Sequence, residues 1–355
     1  MTIQTIKQLL LAENHLSELP KGKRIQNLDA LKLLSMVLVL CLHCTATYYF
    51  ENGLALWSFT RFVYCVGVLA IPTFFVVSGY QLLGRENVGY GYALRKVFKL
   101  LWSSFLLYII ILLLEKPLLG IEIDWRGIPT QFRLNLLQWG DYGILWFVGA
   151  LSLVYLLYPL INWIYVNHKQ LFLYFCGILL VVMTAVFFLS VIYPINDAVR
   201  EMSISQTYRI WNWVGYFSLG GLLKRYRIFK QLGRLWIVAA LVISSYIFLN
   251  LILLRRGIWF CEYAYASLPI ILDVAAVFMF FMSIKINNRF VAEMASIFLP
   301  AYMFGLMYQY CIEDYFCQLP EYFGVIAMIA VDAILALSSA WLLMKIPGMR
   351  RLLRL

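Results

Sequence analysis

The recurrence of long apolar runs limits most strongly what this chain can fold into. A helix needs about twenty apolar residues to cross a membrane, and nine runs of roughly that length follow one another along the 355 residues. They lie near 28–48, 62–83, 97–114, 143–165, 171–193, 235–254, 263–283, 295–312 and 324–344. The chain is 63% hydrophobic and 13% charged, whereas a soluble domain carries about 25% charged residues. The runs therefore predict an all-α integral membrane protein.

A tenth segment, near 210–223, is short and glycine-rich, and the distribution of charge decides its interpretation. Cytoplasmic loops of membrane proteins are enriched in Lys and Arg. With ten spans and a cytoplasmic N-terminus, 20 of the 29 Lys and Arg residues fall inside and 8 outside. Without the tenth span the distribution becomes 11 inside and 17 outside. The charges therefore favour a bundle of about ten transmembrane helices with both termini in the cytoplasm.

The chain reads as one membrane domain at 24–345. A short amphipathic cytoplasmic segment precedes it at 1–23, and a basic cytoplasmic tail follows it at 346–355. The net charge of +11 is spread between apolar runs, which fits membrane orientation and anionic lipid and not nucleic acid. The three histidines and seven cysteines show no metal-ligand spacing, so no metal site is predicted.

Three ionisable residues share one face of the first span. At 100° per residue, Lys32 and His43 lie within about 20° of each other around the helix, and roughly 16 Å apart along its axis. Asp29 lies on the same side, three residues before Lys32. Ionisable groups inside a membrane are costly and indicate function by default. Two plain alternatives remain open: Lys32 extends its amine to the membrane surface, and His43 is a packed core residue.

The same stretch, Arg24 to His43, resembles the opening of the acyltransferase-3 family of bacterial membrane acyltransferases. The family's basic residue, ten positions and histidine read here as Lys32-x10-His43. Lysine stands where arginine is commoner, and Tyr302 to Gln309 ends in glutamine where the family often has histidine. Further similar segments follow in order: FFVVSGYQLL at 74–83, LRKVFKLL at 94–101, LWFVGALSLVYLLYPL at 145–160 and YRIWNWVGYFSLGG at 208–221.

The resemblance implies transfer of an acyl group, most often acetyl, from cytoplasmic acyl-CoA to a hydroxyl across the membrane. The acceptor would be a cell-surface or lipid-linked carbohydrate, and acyl-CoA would be a co-substrate with no cofactor bound. His43 would be catalytic, because imidazole titrates near neutral pH. It would act as general acid and base or carry the acyl group itself.

The resemblance also implies roles for other residues. Asp29 would orient Lys32, and Ser78 would contact the thioester unless it only bonds its own helix. The residues expected to bind the donor are Lys32, Arg95, Lys96, Lys99 and Ser78. On the acceptor side we expect Trp146, Asp141 and Arg209, although aromatic residues at membrane interfaces usually anchor to lipid.

Two other classes of function compete with this interpretation. A transporter or flippase of a lipid-linked sugar would use intramembrane charges as a substrate path, but the chain lacks the paired halves that many transporters show. A membrane scaffold or sensor would leave the shared face of Lys32 and His43 unexplained. The expected location is the inner membrane of a bacterium, with membrane lipids as further partners. The sequence leaves open whether the chain forms a homodimer.

Overall fold

A computed structural model describes residues 24–52, 57–86, 88–118, 120, 122–140, 142–193, 204–226, 231–255 and 261–353. The described helices are α1 (Gln26–Asn52), α2 (Phe59–Gly67), α3 (Ala70–Leu82), α4 (Tyr90–Leu118), α5 (Ile128–Leu136), α6 (Trp146–Asn167), α7 (Lys169–Ile192), α8 (Ile210–Arg225), α9 (Leu235–Arg255), α10 (Leu268–Ser283), α11 (Arg289–Ala295), α12 (Phe298–Phe316), α13 (Glu321–Leu343) and α14 (Met349–Leu353). Short 3₁₀ turns cover Gly143–Leu145, Gln206–Tyr208 and Cys261–Ala264. The segment expected at 1–23 lies outside the described residues.

The predicted all-α, multi-pass membrane architecture is confirmed. Seven described segments are long and apolar enough to cross a membrane, and the bent pair of α11 and α12, with 68° between them, makes an eighth. The other two expected spans appear as α8 and α10, each of 16 residues. Sixteen residues extend about 24 Å, less than the roughly 30 Å of a bilayer core. Both helices are largely buried by their neighbours.

Helix α1 is the centre of the bundle, because six other helices pack against it. These are α2, α3, α10, α11, α12 and α13. Its buried surface includes Leu31, Met36 and Leu40, each at most 1% exposed. The face that carries Lys32 and His43 is thereby enclosed by helices from both halves of the chain.

The two ends of the bundle differ in charge. We call the end that carries Arg24, Arg85, Lys99 and Lys224 the basic end. There, the amine of Lys224 donates to the carbonyl of Leu83 at 2.7 Å. The opposite end, which we call the far end, holds the α1–α2 and α12–α13 connections, where the hydroxyl of Tyr48 donates to the carbonyl of Leu319 at 2.6 Å.

Glycines bring α3 and α8 into close contact. A Cβ on Gly79 would overlap the backbone carbonyl of Phe217, and a Cβ on Gly220 would overlap that of Val76. The backbones therefore meet directly at this crossing, as small residues allow in membrane bundles. This contact explains why the short glycine-rich segment near 210–223 is a helix inside the bundle, and it gives Gly79 a packing role.

Replacing Gly79 with alanine is therefore expected to destabilise the fold by roughly 1–3 kcal/mol, the usual cost of overpacking. The clash is with backbone, so no side chain can turn aside to relieve it. The measurement is the yield and thermal stability of monodisperse protein in detergent. Gly177→Ala is the matched control, since nothing lies within 4 Å of a Cβ there. A Gly79→Ala protein as stable as the control would contradict the proposed crossing.

Candidate active site

His43 faces a cavity of about 260 Å³ near the far end. The imidazole is partly exposed to this space, and no described residue donates to it or accepts from it. Helix α1 supplies one wall, and the turn between α2 and α3 supplies another. The lining residues are Val39, Leu42, His43, Gly67, Ala70, Ile71, Gln138, Gly143, Trp146, Gln206, Tyr265 and Tyr302. The face of α1 on which the sequence places His43 therefore borders an open space.

Two glutamines that the sequence analysis missed line the far-end side of this cavity. Gln138 follows α5 and has a φ of 69°, a left-handed conformation that usually requires glycine or asparagine. The amides of Gln138 and Trp139 donate to Asn135 and Leu134, at 3.2 and 2.9 Å, which is the Schellman pattern that ends a helix. Strained backbone of this kind clusters at functional sites. No sequence signal identified Gln138, because glycine normally marks this position.

The second glutamine is held by the first. The side-chain oxygen of Gln138 accepts from the backbone amide of Gln206 at 2.7 Å. The Gln206 carbonyl in turn accepts from the indole of Trp213 at 2.6 Å. The side-chain oxygen of Gln206 is buried without a hydrogen-bond partner among the described residues. Gln206 is therefore a fixed part of the cavity wall, and its side-chain oxygen is buried there and not exposed to the cavity.

The three residues predicted on the acceptor side differ in where they lie relative to this cavity. Trp146 lines the cavity and packs against Trp213, with ring centroids 5.1 Å apart. Arg209 does not line the cavity: the residue is 1% exposed, and its guanidinium donates twice to the carbonyl of Ile204, at 3.1 and 3.0 Å. It thereby anchors the segment that carries Gln206. Asp141 lies outside the described residues.

Lys32 lines a second cavity, of about 300 Å³, at the basic end. Its walls are Arg24, Asp29, Lys32, Phe74, Gln81, Ala295, Ser296, Phe298, Leu299, Pro300 and Leu353. Asp29 shares this cavity, but its ion pair within 4 Å is with Arg24, at 2.5 Å, and not with Lys32. Arg24 also donates to the carbonyl of Ala292. Asp29 also acts electrostatically on Lys32, and its role in orienting Lys32 stays a prediction.

Aromatic side chains separate the two cavities. Phe74 stacks on Phe298 at 4.6 Å between centroids, and both border the Lys32 cavity. Phe298 stacks parallel to Tyr302 at 6.3 Å, and Tyr302 borders the His43 cavity. Phe147 packs edge-on against Phe74 and Tyr302. We call these four residues the aromatic partition.

The remaining predicted donor residues do not line the Lys32 cavity. Arg95 is exposed and bonds its own helix at Gly91, at 3.1 Å. Lys96 lies over the rings of Tyr92 and Tyr155, at 5.8 and 5.2 Å. Lys99 borders a separate cavity at the basic end, with Lys345, Arg350 and Arg351.

Ser78 lines neither main cavity and interacts with Tyr155 instead. One basic residue escaped the sequence analysis. Arg85 is exposed, donates to the hydroxyl of Tyr92 at 3.2 Å, and interacts electrostatically with both Lys32 and Lys96. It therefore contributes to the positive potential at this end.

Gln309, which replaces a histidine common in the family, contacts the helix that carries His43. Its side-chain nitrogen donates to Thr47 Oγ1 at 2.6 Å and to the carbonyl of His43 at 3.2 Å. This joins α12 to α1 within one turn of His43. Across the described part of the chain, no group of three or more His, Cys, Asp or Glu residues is arranged to hold a metal ion.

Comparison with known proteins agrees with this arrangement. The model of the acyltransferase-3 family, described as an acyltransferase domain, matches residues 25–345. No curated protein and no solved structure matches the chain. The match covers most of the chain and includes both cavities except for the contributions of Arg24 and Leu353. The chain therefore belongs to the acyltransferase-3 family and is a multi-pass membrane acyltransferase.

Proposed function

We propose that the protein moves an acetyl group from cytoplasmic acetyl-CoA to a hydroxyl of a cell-surface or lipid-linked carbohydrate. One observation supports this most directly. Lys32 and His43 share a face of the central helix, and each opens into its own cavity, one at the basic end and one towards the far end. An enzyme that takes its donor from one side and its acceptor from the other needs two such entrances and one reacting group between them.

The basic end suits the donor. CoA carries its phosphates at one end and its thioester at the other, and a positively charged region concentrates such an anion. Lys32 is the one cation within α1, and roughly 16 Å along the axis separate it from His43. The phosphates would lie at the mouth of the Lys32 cavity, and the pantetheine arm would extend along α1 towards His43.

The aromatic partition stands in the path of that arm. The stacked rings of Phe74 and Phe298 must separate before a thioester reaches His43. In the closed arrangement the partition keeps the two sides of the membrane sealed from each other. Donor binding would then open the path between the two cavities.

At His43 the chemistry follows from the open imidazole. A ring nitrogen accepts the proton of the attacking hydroxyl while the hydroxyl oxygen bonds to the thioester carbonyl carbon. The carbon–sulfur bond then breaks, and the imidazolium returns the proton to the departing thiolate. An acyl-histidine route would use the same residue with two successive transfers. Either route requires His43 to face the cavity, as it does.

The His43 cavity also suits a carbohydrate. Gln138 and Gln206 offer amide groups, and Trp146 offers an aromatic face. Ligand sites typically combine apolar walls with a few placed polar groups that set orientation. A rotation of the Gln206 side chain would expose its buried oxygen, which would then accept from a sugar hydroxyl and orient the neighbouring hydroxyl towards His43.

Membrane vesicles test the proposal. Inside-out vesicles from cells that express the protein are given acetyl-labelled acetyl-CoA, and alkali-labile acetate is measured in the glycan fraction. We expect label in glycan from inside-out vesicles and none from sealed right-side-out vesicles, because the basic end would face the cytoplasm. Labelled lipid without labelled glycan would contradict a carbohydrate acceptor. Movement of lipid-linked sugar that is independent of acetyl-CoA would favour a flippase.

A further inference from the structure

A third cavity at the basic end has an unusual electrostatic character. It measures about 550 Å³ and is lined by Lys99, Met344, Lys345, Ile346, Pro347, Gly348, Arg350 and Arg351. Four of these eight residues are cationic and none is acidic. We call this space the cationic cavity, after the four cations in its wall: Lys99, Lys345, Arg350 and Arg351.

Tertiary contacts hold these charges together. The chain reverses at Gly348, whose φ of 88° favours glycine, and α14 then packs against α4. The hydroxyl of Ser103 on α4 donates to the carbonyl of Leu352 at 2.8 Å. Leu353 is 1% exposed and forms part of the Lys32 cavity. The segment expected at 346–355 as a basic tail is therefore, over its described residues, part of the cavity wall.

Four like charges around one space repel one another unless anions compensate them. Among the described residues, no carboxylate forms an ion pair with any of the four. One acid among the described residues, Glu293, lines a small adjoining cavity with Lys345 and Arg350. Lys345 instead packs over the ring of Trp341 at 4.4 Å. The cluster thus has the composition of a site for a multiply charged anion.

We propose that the cationic cavity binds the 3′-phosphate of CoA. This inference rests on the proposed donor and extends it. Leu353, which lines the Lys32 cavity, is on α14 with Arg350 and Arg351. Ser296 lines both the Lys32 cavity and the small cavity that Lys345 and Arg350 share, so the cationic cavity lies close to the Lys32 cavity at the basic end. The order of groups in the donor is thioester, pantetheine, diphosphate and 3′-phosphate, so the phosphomonoester lies farthest from the reacting carbon. A phosphomonoester carries a charge of about −1.5 to −2 at neutral pH, and arginine forks bind it with two parallel hydrogen bonds.

A phospholipid headgroup offers the same phosphate chemistry, so the test must distinguish the two sources. Purified protein in uncharged phosphatidylcholine nanodiscs is assayed with acetyl-CoA and with acetyl-3′-dephospho-CoA. The wild type is expected to show a lower KM for acetyl-CoA. In Arg351→Gln and Lys345→Gln, the KM for acetyl-CoA should rise about tenfold, the effect of losing one charged contact of roughly 1.4 kcal/mol or more. The kcat should be unchanged, and the KM for the dephospho donor should barely move.

The variants should therefore lose discrimination between the two donors. The control is Arg289→Gln. Arg289 is exposed at the basic end and lies outside the cationic cavity, so this variant should keep the wild-type ratio of the KM values for the two donors. If Arg351→Gln and Lys345→Gln keep the wild-type ratio of the KM values for the two donors, the inference is overturned. It is likewise overturned if these variants change only the response to added anionic lipid. If the wild type uses neither donor, the proposed function itself fails.

If the variants fold poorly, the wild-type protein still tests the inference. With the wild-type protein, adenosine 3′,5′-bisphosphate is expected to compete with acetyl-CoA more strongly than AMP does. Equal inhibition by the two nucleotides would mean that no site reads the 3′-phosphate, and would overturn the inference without any substitution.

Discussion

Replacing His43 with glutamine is expected to abolish acyl transfer while the protein still inserts and accumulates. Glutamine keeps hydrogen-bonding capacity but does not titrate near neutral pH, so it cannot accept and return the proton of the acceptor hydroxyl. General acid–base catalysis contributes about 10²–10⁴-fold, and the loss should be at least that large. Because the side chain borders a cavity, the substitution leaves the packed face of α1 intact. The measurement is acetate on glycan at saturating acetyl-CoA, normalised to folded protein.

His168→Ala is the matched control for this experiment. His168 sits between α6 and α7 and packs on Trp163, with ring centroids 4.6 Å apart, outside the walls of both main cavities. His15→Ala provides a second control. Both proteins should retain near-normal activity. A well-folded His43→Gln protein that still acetylates its acceptor would show that His43 only fills space and that the proposed chemistry is wrong.

Replacing Lys32 with alanine is expected to produce the second-largest loss. The amine lies half-buried in a cavity whose one described carboxylate, Asp29, pairs with Arg24, so its charge remains available to a phosphate. A hydrogen bond to a charged group contributes about 1.5–3 kcal/mol. A loss of about 2–3 kcal/mol corresponds to roughly 30- to 150-fold in kcat/KM at limiting acetyl-CoA. Lys32→Arg keeps the charge and should recover most of the activity.

Arg95→Ala separates the two interpretations of the donor site. The sequence resemblance implies that Arg95 binds donor phosphate, whereas the structure shows its guanidinium exposed and bonded to its own helix. Exposed charges contribute little to such interactions, so the loss should be much smaller than in Lys32→Ala. Unchanged transfer by Lys32→Ala at limiting donor would refute a donor site in this cavity.

The sequence by itself predicted those features that depend on local periodicity. Apolar runs predicted the helices. A segment inside the bilayer has no water to bond, so its backbone N–H and C=O groups must form hydrogen bonds within the helix. The spacing of Lys32 and His43 predicted a shared face, because positions eleven apart nearly coincide on a helix. Lysine and arginine counts supported a helix near 210–223, and the structure gives α8 at 210–225.

Only the tertiary structure decided how the cavities are lined. Gln138 and Gln206, which are 68 positions apart in the chain, meet through one hydrogen bond, and the aromatic partition combines residues of α3, α6 and α12. Arg24 pairs with Asp29, and the turn at Gly348 places the basic segment that follows in a cavity wall with Lys99. These outcomes depend on how helices pack, and periodicity within one helix carries no information on which side chain of another helix lies opposite.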